Sequence, residues 1–267
     1  MENNASVCCS KKIQAIYRLC NGSYSPMKRV VLMYHDIVTK NDKSSGFQNK
    51  NAFQYKVEES AFEEQVKALQ GKDVVFTFDD GGVSFLTKAA PLLEKYGFKG
   101  VFFISTKYIG TPGFLTTEQV KSLAERGHVV GSHSHTHPEI FTKLSKEEIH
   151  EEWRMSYEIL KDILGEKDLP MSIPNGYASK TILDEAIKCG FTDIYTSQPT
   201  TKNKLFQKHN VIGRYVVHDN MTTEDVLRIV NSKGCRLKMA LKWQVLNVVK
   251  GVLGESYDKL KAKIMHH

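Results

Sequence analysis

Between residues 29 and about 232, short apolar runs alternate with segments whose apolar residues recur every three or four positions. The runs at 29–34 (RVVLMY), 74–78 (VVFTF), 99–104 (KGVFFI) and 128–132 predict buried strands. Shorter strands are predicted at 171–173, 193–196 and 211–217. The amphipathic segments at 60–69, 85–96, 117–126, 145–164, 181–188 and 223–230 predict helices. Two of these open on capping boxes, Thr116…Gln119 and Ser145…Glu148, and glycines close three of them. The polar stretch 36–57 predicts a long loop.

This strand–helix alternation implies a parallel sheet covered by helices. About seven strands with helical crossovers give an α/β fold, a distorted (β/α) barrel of about seven parallel strands. In such barrels the chemistry sits at the C-terminal ends of the strands. Three regions follow: a poorly ordered leader at 1–28, the barrel at 29–232, and a basic, amphipathic helical extension at 233–267. The extension's apolar residues recur from Leu237 to Ile264, a face whose first expected role is packing on the barrel and whose second is docking on a membrane or partner, and a helix break is expected near Gly251 and Gly254.

Charge changes this picture in one place. The chain carries a net +7, and residues 233–263 hold eight Lys or Arg against two acids, nearly the whole imbalance. Such a tail is either a solvated helix face or a contact for an anionic surface such as a membrane. No signature of a specific nucleic acid partner is present. The five cysteines (Cys8, Cys9, Cys20, Cys189 and Cys235) form no CxxC pair, which argues against a disulfide framework or a thiolate zinc site. No apolar run approaches the ~18 residues that span a membrane. The N-terminus has lysines where a signal peptide would be apolar. The expectation is a cytoplasmic protein, with peripheral contact to the inner membrane face through 233–263.

Two constellations follow strands, as the barrel rule requires. The strand at 74–78 runs into Asp79-Asp80-Gly81-Gly82, and adjacent carboxylates at a buried strand end call for a compensating cation. The strand at 128–132 runs into His133-Ser134-His135-Thr136-His137. A His-x-x-x-His pair on one helical turn would aim both rings at one point. Two imidazoles and one carboxylate make a three-ligand site with room for water, suited to Zn²⁺, Co²⁺, Ni²⁺ or Fe²⁺.

The segment Thr77-Phe78-Asp79-Asp80-Gly81 resembles the first motif of the NodB-type polysaccharide deacetylases, carbohydrate esterase family four. The stretch from Arg126 to Pro138, with His133 and His137, resembles the second, and the intervening 90–103 matches the family's helix and next strand. Leu32-Met33-Tyr34-His35 and 62–65 are similar to a subgroup associated with surface polysaccharides. The resemblance covers roughly 29–230. It implies that Asp80, His133 and His137 hold the metal, with Asp79 as general base. His135 is expected to face away or to support a ligand.

The resemblance departs at two motifs. The third motif's Arg-x-Pro-Tyr-Gly reads Ser172-Ile173-Pro174-Asn175-Gly176 here. The arginine that would orient the base is replaced by Ser172, while the Asn175 backbone N–H could still serve the oxyanion. For the last motif's general acid the candidate is His218. Arg214 could reach a site carboxylate or pair at the surface, His35 could line the cleft, and Gly82 would leave the cleft more open. The activity implied is hydrolysis of N-acetyl groups from N-acetylhexosamine units of a polysaccharide or a lipid-linked or precursor saccharide, releasing acetate. The competing readings are a catalytically weak barrel that binds sugar or a partner, and a metal hydrolase of a non-sugar amide.

Overall fold

A computed structural model describes residues 29–165, 168–176 and 178–253. The leader at 1–28 and the end of the tail at 254–267 lie outside the described residues. The described residues form eleven strands: β1 (Val30–Tyr34), β2 (Ile37–Val38), β3 (Val57–Glu58), β4 (Val74–Phe78), β5 (Gly100–Ile104), β6 (Val129–Ser132), β7 (Met171–Ser172), β8 (Ile194–Thr196), β9 (Lys204–Phe206), β10 (His209–Gly213) and β11 (Tyr215–Val216). The helices are α1 (Lys50–Phe53), α2 (Glu59–Ala68), α3 (Ala90–Lys95), α4 (Thr117–Glu125), α5 (Lys146–Leu164), α6 (Lys180–Cys189), α7 (Thr223–Asn231) and α8 (Lys233–Leu253). Both predicted capping boxes form, and Gly165 ends α5 in the left-handed conformation, φ 62°.

The main sheet runs β11-β1-β4-β5-β6-β7-β8-β10-β9. β10 and β11 are halves of one extended stretch, interrupted at Arg214, whose N–H donates to the Gln198 carbonyl at 3.0 Å. The first half pairs with β8 and the second with β1, both in parallel. One segment thereby joins the two ends of the sheet and closes a barrel of seven parallel staves. β9 is unpredicted; it adds antiparallel to β10, and its mostly exposed residues carry no apolar alternation.

Side chains alternate across each strand. Val31, Val101, Phe103, Tyr195 and Ile212 fill a small core inside the barrel. Val30, Leu32, Tyr34, Phe76, Phe78 and Phe102 belong to the larger core beneath the helices. Leu237, Leu241 and Val245 on α8 are 61%, 52% and 62% exposed. α8 runs through Gly251, since one glycine costs a helix only about 1 kcal/mol, while Gly254, the other residue at which a break is expected, lies outside the described residues. No described helix is long and apolar enough to cross a membrane.

The predicted long loop at 36–57 contains β2, β3 and α1, with β2 and β3 paired in parallel. Its anchor is Asp36, buried after β1, which accepts from the Ser45 hydroxyl at 2.6 Å and the Ser84 hydroxyl at 2.9 Å. A Cβ on Gly82 would lie 1.9 Å from an Asp36 carboxylate oxygen. Gly82 therefore admits this anchor.

Candidate active site

β4 delivers Asp79 and Asp80 to the C-terminal rim of the barrel. Asp79 donates its N–H to the Tyr34 carbonyl at 3.1 Å, which continues the β1–β4 ladder. Asp80 then turns into positive φ, 91°, which breaks the alternation and separates the two carboxylates. Both side chains are buried.

Arg214 grips Asp79 with both arms. Nη1 donates to Oδ1 at 2.6 Å and Nη2 to Oδ2 at 2.7 Å. Nη2 also donates to Ser172 Oγ at 2.7 Å, Nη1 to Thr77 Oγ1 at 3.2 Å, and Nε to the Thr196 carbonyl at 3.2 Å. The guanidinium is 1% exposed and lies over the Phe103 ring. The arginine absent from position 172 is thus supplied from the last stave, and Ser172 both makes room for it and accepts one of its hydrogens.

The histidine loop follows β6. His133 and His137 are brought together, with ring centroids 5.1 Å apart. They do not share a helical turn, contrary to the expectation from spacing. Ser134 and His137 adopt positive φ, 63° and 57°, and fold the loop back on itself. Glu152 of α5 holds this conformation by accepting the N–H groups of His135 and Thr136 at 3.0 and 2.8 Å and the Thr136 hydroxyl at 2.6 Å. Ser134 Oγ accepts the His137 N–H at 3.1 Å. His135 contacts Thr106 Oγ1 at 2.9 Å.

Asp80, His133 and His137 each offer one ligand atom, all within 4.8 Å of one another. His133 Nε2 and His137 Nε2 lie 3.5 and 3.4 Å from Asp80 Oδ1. An ion with ~2.0–2.1 Å bonds in tetrahedral geometry has ligand separations of about 3.3–3.4 Å, which the two distances from Asp80 match. His133 Nδ1 lies 3.1 Å from the Ser172 carbonyl, a pure acceptor. That contact places the proton on Nδ1 and leaves Nε2 free to ligate.

The electrostatics agree. Burial pushes both carboxyls upward, yet neighbours prevail. Arg214, then His133, hold Asp79 below the usual range, while a hydrogen bond from His137 and the charge of His35 hold Asp80 well below it. Burial pushes His133 down to about 4, which keeps it a neutral imidazole. His137 is raised, because its hydrogen bond to Asp80 outweighs burial.

The remaining predicted residues fall around the same rim. Asn175 follows β7 at φ 54°, and its amide donates to the Pro138 and Glu139 carbonyls at 3.3 Å, tying its turn to the histidine loop. His218 stacks on Tyr55, centroids 5.0 Å apart, and Tyr55 stacks on His35 at 4.5 Å. Sequence reading passed over Phe47, which lies 5.0 Å from His137 and packs on Tyr108 and Phe114. An aromatic residue in a polar loop carries no periodic signal, so only the folded loop discloses this apolar wall.

A polysaccharide deacetylase family model matches residues 67–194, which include both motifs. The chain is 30% identical over 200 residues to the putative polysaccharide deacetylase YxkH of Bacillus subtilis, covering 70% of this chain and 71% of that protein. It is 28% identical to the peptidoglycan-N-acetylmuramic acid deacetylase PdaA of the same organism, spanning 55% of its length. Its fold is similar to that of the Streptococcus pyogenes deacetylase PplD in complex with acetate, at TM-score 0.62 and 21% identity, covering 78% of this chain and 100% of that one. With this likeness and the Asp-Asp and His-x-x-x-His motifs meeting at one rim, the chain belongs to the NodB-type polysaccharide deacetylases.

Proposed function

We propose that this protein hydrolyses N-acetyl groups of N-acetylhexosamine units, in a polysaccharide or a lipid-linked or precursor saccharide, releasing acetate. The observation that carries the reading is the pairing of the Asp80–His133–His137 trio with a second buried carboxylate, Asp79, clamped by Arg214. A binding barrel has no need of that second, costly carboxylate. A divalent metal, Zn²⁺ by its donor set with Co²⁺, Ni²⁺ or Fe²⁺ as alternatives, would be held by the trio and would supply carbonyl polarisation and acidified water. Asp79 takes the proton from the attacking water. Arg214 keeps Asp79 ionised and fixes its orientation. In this reading the Asn175 backbone N–H serves as the oxyanion donor. Phe47 and Tyr108 offer an apolar wall beside the site, suited to the carbon face of a sugar ring.

The test is acetate release from N-acetylglucosamine oligomers and lipid-linked N-acetylhexosamine, with added Zn²⁺ or Co²⁺, alongside Asp79→Asn. Release that falls at least 10³-fold in the variant, with the metal still bound, is the expected result. Bound metal without acetate from any acetylated sugar would move the assignment to a different amide.

We also propose that α8 holds the enzyme against an anionic membrane surface, at the cytoplasmic face. Five cations and no acid lie in Lys233–Leu253, and Leu237, Leu241 and Val245 form an exposed apolar stripe among them. Two copies of so basic a helix repel each other, whereas anionic lipid attracts both its charge and its apolar stripe.

A further inference from the structure

We propose that Lys56 is a positioning residue whose buried ammonium sets Phe47 at the mouth of the metal trio, and that Phe47 there selects for a sugar ring. This rests on the deacetylase reading given above. Between Val38 and Ala52, Phe47 carries the only apolar side chain. The hydrophobic effect has one group to act on in that stretch, so hydrogen bonds must supply the rest of its shape.

Two side chains supply them. Lys56 is 5% exposed, and its Nζ donates to the Lys43 carbonyl at 2.8 Å and the Ser45 carbonyl at 2.6 Å. Gln48 Nε2 donates to the Ser44, Ser45 and Gly46 carbonyls at 2.9, 3.2 and 2.9 Å. Four consecutive carbonyls, 43–46, are gathered in this way. Ser45 is held from its other side too, because its hydroxyl donates to Asp36 and accepts the Ser84 N–H at 2.9 Å. A buried ammonium is costly and is rarely kept without partners. α1 helps to cover this one, with the Phe53 ring 4.9 Å from Nζ. What the buried cation fixes is the bend that carries Phe47.

The bend delivers Phe47 to the site. The Gly46 N–H donates to the Gly113 carbonyl at 2.8 Å, which docks the bend on the loop that follows β5. Phe47 comes next and is half-buried. Its ring packs on Tyr108 and Phe114, centroids 4.9 and 5.1 Å away, and lies 5.0 Å from His137. His137 is the more open of the two ligand histidines, its side chain 18% exposed against 3% for His133. Phe47 therefore stands on the open side of the trio. An acetamido group at the trio places its sugar ring beside this wall, where ring C–H groups meet the aromatic surface. A ring-free acetyl compound has nothing to lay there.

The discriminating property is the ring. Wild type, Phe47→Ala, Lys56→Met and the double variant would each be measured on an N-acetylglucosamine oligomer and on vinyl acetate, a ring-free ester. Metal content and thermal melting would be recorded in parallel, with Lys56→Gln as a second variant should the methionine fail to fold. The readout is the ratio of kcat/KM on the oligomer to kcat/KM on vinyl acetate. The expected result is a fall of about 10-fold in that ratio for Phe47→Ala, carried by KM for the oligomer, with metal content unchanged. Lys56→Met should show the same fall. The double variant should fall no further than Phe47→Ala, because Lys56 acts through Phe47. An unchanged ratio in either single variant, or losses that multiply in the double variant, would overturn the proposal while oligomer cleavage by the wild type upholds the deacetylase reading. Wild-type cleavage of vinyl acetate without acetate release from any N-acetyl sugar would overturn that reading, and the selection for a sugar ring with it.

Discussion

Asp79 and Asp80 are adjacent, buried and both held ionised, and each relies on a different partner. Asp80 has the two histidines; Asp79 has Arg214. Removing one member of a buried ion pair leaves an uncompensated charge, which costs about 3–5 kcal/mol. Arg214→Met should therefore lower unfolding free energy by about that amount in urea melts. It should also lower kcat/KM by 10²-fold or more, because Asp79 loses its orientation and takes up a proton. Arg214→Lys should not restore activity, since a single ammonium cannot bond both carboxylate oxygens in a fixed plane. Near-normal activity in Arg214→Met would mean that Asp79 orients itself. This arrangement also explains why Ser172 does not signal a dead site. The cation is on the page of the sequence at position 214, but its partner lies 135 residues away and becomes visible only when the barrel closes.

At the scale of elements, the start of β6 is tied to its neighbours through His128. Its Nδ1 accepts the Gly100 N–H at 3.0 Å, so the proton resides on Nε2, which contacts Glu94 Oε1 at 3.0 Å. Burial, reinforced by the charge of Lys99, pushes this histidine down to about 4. The unfolded chain therefore binds a proton near pH 6.5 that the folded protein refuses until about pH 4. Stability is complete above pH 6.5 and falls through that window, by on the order of 3 kcal/mol. Melting temperature measured from pH 7 to pH 4 should drop accordingly, and His128→Gln should flatten that slope. A slope unchanged in the variant would assign the acid sensitivity to other groups. The helices themselves were largely legible beforehand. The capping boxes at Thr116 and Ser145 bring their own hydrogen-bond partners three residues away, so local sequence suffices. The histidine loop was not, because Glu152 and two positive-φ residues shape it, and spacing alone suggested a helical turn.

For the whole molecule, the barrel closes through one stretch of chain whose two halves pair with opposite ends of the sheet. That closure brings the ends of β4, β6, β7 and the β10–β11 stretch to a common rim, and with them Asp79, Asp80, His133, His137, Ser172 and Arg214. Outside the barrel, α8 makes a prediction of its own. The full chain should sediment with vesicles containing phosphatidylglycerol and not with phosphatidylcholine alone, and binding should weaken in high salt. Leu237→Glu combined with Leu241→Glu should abolish it. Undiminished binding by that variant would remove α8 from the membrane contact.

The alternation of strands and helices, the number of staves and the candidate ligands at strand ends are all legible along the chain. Those properties depend on periodicity and on residue types adjacent in the chain, so they are written locally. Which cation serves Asp79, what Gly82 accommodates and how the histidine loop turns follow from the folded chain alone. Each of these depends on side chains far apart in sequence meeting across the rim, and that proximity comes into being when the β10–β11 stretch closes the barrel.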